Sequence, residues 1–425
     1  MKKIVFYFLF ITKISFAQSE PDKIYMPNIH TPQLFLQGNQ YGYPIISVGS
    51  IAALELHFDD FDGYVKNYNY TFQLCNADWT EVNLSPFDYL KGFTQNRLSQ
   101  YRVSSVAKVK YVHYQALLPE QSSVPIKSGN YLLKVFLNGD TSQLAFTKRV
   151  LIVNNIVTIG ASIQQPFNQE FFKTHQKVQF SIDVSKLNLL NQQQQLKVVV
   201  LQNYRWDNAV KNMQPEFMRG NMYEYNGERD FLFPAGKEYR WVDLRSFRFQ
   251  SERVKNVDMK TVPFDVELFP DGERTQERYL YYPDRNGFYE ISSTDLINPW
   301  WQGDYANVHF SFVPKNNIPY PDKNVYIIGQ FTNYFYNDST KLDYNATKGI
   351  YEKTLLLKQG YYTYTYATKD IKNLNAISSV ENTDGNTWET ENNYTILVYY
   401  RSFSDRSDGL VGIVTINSRT SRTGF

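Results

Sequence analysis

Alternation with a period of two runs through most of this chain, and it constrains the chain to sheets. A strand sends successive side chains to opposite faces, so a half-buried strand alternates apolar and polar residues. Residues 51–58 (IAALELHF), 68–75 (YNYTFQLC), 110–118 (KYVHYQALL), 128–136 (SGNYLLKVF) and 145–153 (AFTKRVLIV) read this way. Further strands are predicted at 176–185, 196–203, within 236–255, and at 264–270, 306–314, 324–331, 394–401 and 409–416. The segment FDDFDG at 58–63 and NGD at 138–140 are turn chemistry. Strands 51–58 and 68–75 are expected to pair around the first turn, and 128–136 and 145–153 around the second. Residues 349–368 read as a hairpin bending at Gln359-Gly360. The run NQQQQ at 191–195 reads as a solvated loop, and a helix over 208–218 would be interrupted by Pro215. With no convincing helix between strands, the fold class is all-β, built as antiparallel sandwiches.

A chain of 425 residues is too long for one ordinary core. The strand groups divide into three consecutive immunoglobulin-like sandwiches at 18–153, 154–297 and 298–402, then a tail at 403–425 with one short strand. No repeat is visible at the level of residue identity.

Residues 1–17, MKKIVFYFLFITKISFA, have the three-part layout of a secretory signal. Lys2 and Lys3 precede an apolar run at 4–11, and Ser15 and Ala17 are the small residues that a signal peptidase inspects. The apolar run is far shorter than the ~20 residues needed to cross a bilayer. Cleavage after Ala17 is expected to leave an exported protein, with no Cys at the new N-terminus to carry a lipid.

Removing Lys2, Lys3 and Lys13 turns the formal charge of +2 into −1. A near-neutral chain has no long-range field for nucleic acid or anionic lipid, so neither is an expected partner. Cys75 is the only cysteine, so the fold holds by core burial without an internal disulfide. It lies in an alternating stretch and reads as a small core residue.

The motifs carry little chemistry. Asp59, Asp60 and Asp62 could gather around a hard cation, but counting from Asp59 the twelfth position, where an EF-hand places Glu, is Tyr70. The histidines His30, His57, His113, His175 and His309 are widely scattered and show no ligand spacing. There is no Gly-x-Ser-x-Gly elbow, phosphate-cradling loop or dinucleotide fingerprint. The expectation is a protein that is not an enzyme and carries no cofactor or metal. Aromatics make up 16% of the chain, which suits both strands and contact surfaces. Trp300 and Trp301, with Phe331, Tyr334, Phe335 and Tyr336, are the candidate partner-binding residues, taken as exposed loop aromatics; the two tryptophans suit a domain junction equally well.

Two resemblances add to this. VYIIGQFTNYF and GIYEKTLLLKQGYYTYTYAT are similar to early-set immunoglobulin-like modules, including glycogen-binding modules, with Tyr334 where those modules place a Trp. The second covers nearly the whole chain. YPIISVGS at 43–50, LHFDDFDG at 56–63, CNADW at 75–79, DYLKGF at 88–93, His113-Tyr114, SGNYLLKVF at 128–136 and NYTILVYYR at 393–401 together resemble the plug protein family of the type IX secretion system. That resemblance implies a periplasmic, non-catalytic subunit. Its partner would be the outer-membrane translocon barrel, whose periplasmic mouth it closes when no substrate is present, without entering the membrane itself. The alternative, implied by the first resemblance, is a periplasmic or surface glycan-binding protein.

Overall fold

The computed structural model describes residues 20–373 and 376–421. The expected signal segment at 1–17 and the last four residues of the tail lie outside the described residues.

The chain is all-β. Among the described residues its strands form seven sheets: six make three pairs, each pair closing on its own apolar core, and the seventh is the short ladder of Leu90–Gly92 with Ser123–Pro125. In the first sandwich, the sheet holding Ile29–Leu36, Leu54–Asp60 and Val112–Leu118 packs on the sheet holding Tyr68–Cys75, Gly129–Leu137 and Leu144–Val153. Gly129–Leu137 and Leu144–Val153 pair as expected around the NGD turn. Leu54–Asp60 and Tyr68–Cys75 do not pair with each other; they lie in opposite sheets of the sandwich. The FDDFDG segment therefore carries the chain across the core instead of closing a hairpin. The same correction applies at Gln359-Gly360. Ile350–Lys358 pairs with Tyr305–Val313, whereas Tyr361–Asp370 pairs with Lys323–Ile328 in the other sheet. A tight bend between two alternating strands fits an arch as well as a hairpin, because either keeps the apolar face on the core.

The second and third sandwiches are not consecutive. Leu196–Gln202 pairs with Asn393–Tyr400, which in turn pairs with Gly409–Asn417. Together these face Thr158–Gln164, His175–Asp183 and Met222–Tyr225 across the second core. The third sandwich is built from strands between Arg240–Asp243 and Tyr361–Asp370, and so interrupts the second. The sequence division at 297/298 cuts through it, and the strand at 394–401 and the tail strand complete the second sandwich. Most ladders are antiparallel; Phe264–Leu268 beside Tyr305–Val313 is parallel.

Two smaller expectations are also revised. Gln192–Gln195 forms a helical turn, and the buried Gln195 accepts the Leu190 and Asn191 N–H groups at 2.8 Å each through Oε1. At 208–218 there is no helix; Val210–Lys211 and Phe217–Arg219 are short strands.

The sandwiches are fused through shared apolar layers. Along Gly129–Leu137, Tyr131, Leu133 and Val135 face the first core, and Leu132 faces outward. Along Leu196–Gln202, Val198 and Val200 face the second core, and Val199 and Leu201 face outward. The outward residues meet, joined by Leu151, Leu397, Tyr399 and Cys75. Each large aliphatic side chain buried there contributes about 2 kcal/mol by removal from water. Cys75 is thus a small apolar residue of this layer, and burial pushes its thiol up to about 12.

Candidate functional site

None of the six aromatics predicted as exposed contacts stands free on the surface; all are partly buried. Most of the segments carrying them turn inward to a junction between sandwiches, and Phe331 turns into the third core. Trp300 lies in the short helical turn Pro299–Gln302, capped by the Asn298 side chain, which accepts the Trp300 N–H at 2.9 Å. Its indole lies flat on His57, with centroids 3.8 Å apart and planes 4° apart. The Trp301 carbonyl accepts the Ser105 N–H at 2.8 Å, tying the third sandwich to the first. Phe331 packs edge-on against Tyr362 in the third core. The Tyr336 hydroxyl donates to Asp207 at 3.0 Å in the second sandwich. Tyr334 and Phe335 line a cavity where all three sandwiches meet.

Beneath Trp300 lies a polar centre that sequence spacing did not reveal. The register of Leu54–Asp60 on Val112–Leu118 sets Asp59 opposite His113 and His57 two residues along the same face. His113 Nδ1–H donates to Asp59 Oδ1 at 2.7 Å. That leaves His113 Nε2 to accept His57 Nδ1–H at 3.1 Å, and His57 Nε2 then faces Glu55 Oε2 at 3.5 Å. From the third sandwich, Lys358 Nζ donates to Asp59 Oδ2 and to the Trp300 carbonyl, and the Tyr305 hydroxyl donates to Asp59. Asp59, His113 and Lys358 are at most 1% exposed, and His57 is 6% exposed. Burial opposes the charge on Asp59, but the Lys358 ammonium and the His113 imidazole outweigh it and hold the carboxyl below its usual range. Burial lowers His113 to about 4 and lowers His57 as well.

This chain of groups has an acid and two imidazoles, yet among the described residues neither imidazole of the pair bonds to a Ser, Thr or Cys nucleophile. Asp60 turns the other way, to Asn28, Tyr68 and Lys66, and Asp62 pairs with Lys66. The three aspartates therefore do not converge. Among the described residues no group of three or more His, Cys, Asp and Glu is placed to hold a metal ion. The signal that could have located the centre was the alternation itself: His57 and Asp59, and His113 opposite, are polar residues at positions of one strand face.

Fold and junctions together define an all-β protein of interlocked sandwiches, held at their boundaries by buried ion pairs and stacked aromatics. Residues 29–154 match the first domain of the type 9 secretion system plug protein, so the first sandwich is a type IX secretion plug domain. Nearly the whole chain is similar to a crystal structure of a hypothetical protein from Parabacteroides merdae. The identity is 31%, the TM-score 0.88, and the match covers 94% of this chain and 99% of that one. Trypsin-activated alpha-2-macroglobulin from Escherichia coli aligns at 9% identity over 92% of this chain and 29% of that one, with a TM-score of 0.17 that establishes no common fold. No curated protein matches.

Proposed function

We propose that the chain is a non-catalytic gating subunit of type IX secretion, located in the periplasm and closing the periplasmic mouth of the outer-membrane translocon when no substrate occupies it. The match of residues 29–154 to a plug domain carries this reading. The fused sandwiches support it. A stopper needs a fixed outline, and units joined by buried layers lose little further freedom on docking. It needs higher affinity for one state of its partner than for the other, and no turnover chemistry. No helix among the described residues is long and apolar enough to cross a membrane.

Trp300, Tyr334 and Tyr336 then serve by setting the angles between sandwiches, and the contact itself falls to exposed apolar groups. Phe87 and Phe93, 72% and 68% exposed, flank one short edge strand of the plug-family region. Affinity purification of a tagged translocon barrel, with and without cargo flux, tests the proposal. The chain is expected in the idle preparation and depleted in the loaded one, and Phe87→Asp with Phe93→Asp is expected to remove it from both. Absence of the unaltered chain from every preparation would refute the role.

A further inference from the structure

The cavity at the three-way junction has a volume of about 220 Å³. That is below the roughly 300–1,000 Å³ of drug-sized sites and suits a single residue-sized group. Its lining includes the rings of Phe35, Phe288, Tyr289, Tyr204, Trp206 and Tyr334. Three observations separate it from a packing gap.

The first is the number of unpartnered polar atoms on its lining. Gln33 Oε1, Arg149 Nε, Tyr204 OH, Trp206 Nε1 and Tyr334 OH are buried without a hydrogen-bond partner. Gln33 is only 4% exposed. Each such atom costs about 1–3 kcal/mol if left unpaired, so the cavity takes up polar atoms from outside, whether of water or of a ligand that displaces it. The second is charge. Arg149 pairs with Asp22 and Arg205 with Asp207, whereas Lys148 forms no ion pair among the described residues and rests on Asn333 Oδ1 at 3.1 Å. Burial lowers Lys148, with Asp22 opposing that shift. The third is backbone strain. Tyr204 and Tyr334 each follow an Asn that also has positive φ, and stand at φ +57° and +54°. A left-handed Tyr costs on the order of 1 kcal/mol, and two at one cavity place their rings there at an expense the fold carries for some return.

Beside the Asp22 and Asp207 carboxylates, which pair with Arg149 and Arg205, the lining offers unpartnered donors, the Lys148 ammonium without an ion pair among the described residues, the unpartnered Gln33 amide oxygen and flat aromatic faces. We propose that this cavity binds the carboxyl-terminal residue of a peptide ending in an aromatic side chain. The carboxylate meets Lys148 and Arg149 Nε, the ring lies against the aromatic faces, and the terminal N–H donates to Gln33 Oε1. A neutral sugar would suit the walls but leaves Lys148 without its counter-charge.

Isothermal titration of the full chain with an acetylated tripeptide ending in phenylalanine tests this. The free acid is expected to bind saturably, and its carboxamide at least tenfold more weakly. Lys148→Gln is expected to lower affinity for the acid about tenfold and to leave the carboxamide unaffected. Equal binding of acid and carboxamide, saturable binding of an α-glucan but not of the acid, or no binding by the folded chain would each overturn the proposal.

Discussion

Lys358 and Asp59 form an ion pair between the third and first sandwiches, 299 residues apart in the chain, with both side chains sealed from solvent. Asp59 also accepts from His113 and Tyr305, so its lone pairs are well occupied. A buried pair gains from attraction only when such further bonds offset the desolvation of both charges.

Removing one partner is therefore expected to cost more than removing both. Lys358→Met leaves the Asp59 carboxylate buried against an apolar chain, and about 3–5 kcal/mol of stability is expected to be lost. Adding Asp59→Asn to it should cost less than the sum of the two single changes. Urea unfolding of the four members of the double-mutant cycle measures the coupling. Additive costs would show that the pair does not act as a unit.

Stability is expected to fall as the solution is acidified from pH 7. His113 is lowered to about 4 in the folded chain, against ~6.5 when unfolded. Between those values the unfolded chain binds more protons, so stability rises with pH and is lost as pH falls from about 6.5 to about 4. The full loss from His113 alone is about 3 kcal/mol, and His57 is shifted in the same direction. A proton arriving at His57 enters at Nε2, beside Glu55. Unfolding free energy measured across pH 4–7 for the parent and for His113→Gln checks this, and the variant is expected to show a clearly shallower slope.

Trp300→Ala is expected to loosen the junction between the first and third sandwiches without unfolding either core. Its indole covers His57 at 3.8 Å and lies parallel to Phe35 at 6.2 Å. Truncating a half-buried Trp is expected to cost about 2–3 kcal/mol, less than the 3–5 kcal/mol of a fully buried one. With its cover removed, His57 should titrate nearer its ordinary value, which proton NMR of the imidazole would show.

Gly360→Ala is expected to be destabilising even though the position requires no left-handed backbone. A Cβ there would fall inside contact distance of the Glu290 carbonyl, where the chain crosses from one sheet of the third sandwich to the other. The backbone must shift to relieve it, at about 1–3 kcal/mol. Thermal unfolding of the variant measures the loss, and an unchanged midpoint would mean that the crossing yields freely.

The alternation in the sequence marked many of the long strands, but Ile29–Leu36 and Thr158–Gln164, whose burial does not follow period two, were not legible from it. Tyr68–Cys75 was legible to the residue, and Gly129–Leu137 and Leu144–Val153 nearly so, including their pairing. The continuous apolar run at Leu196–Gln202 likewise follows from its place between two cores, where both faces are covered. Period two, however, states only that a face is apolar and leaves open which other face it meets. Arch and hairpin read alike at 58–63 and at Gln359-Gly360, and a strand at 393–400 could close either sandwich. Those choices were decided by which packing buried every apolar face at once, and it was that packing that brought Lys358 to Asp59 and the Asn333-Tyr334 loop to Tyr204.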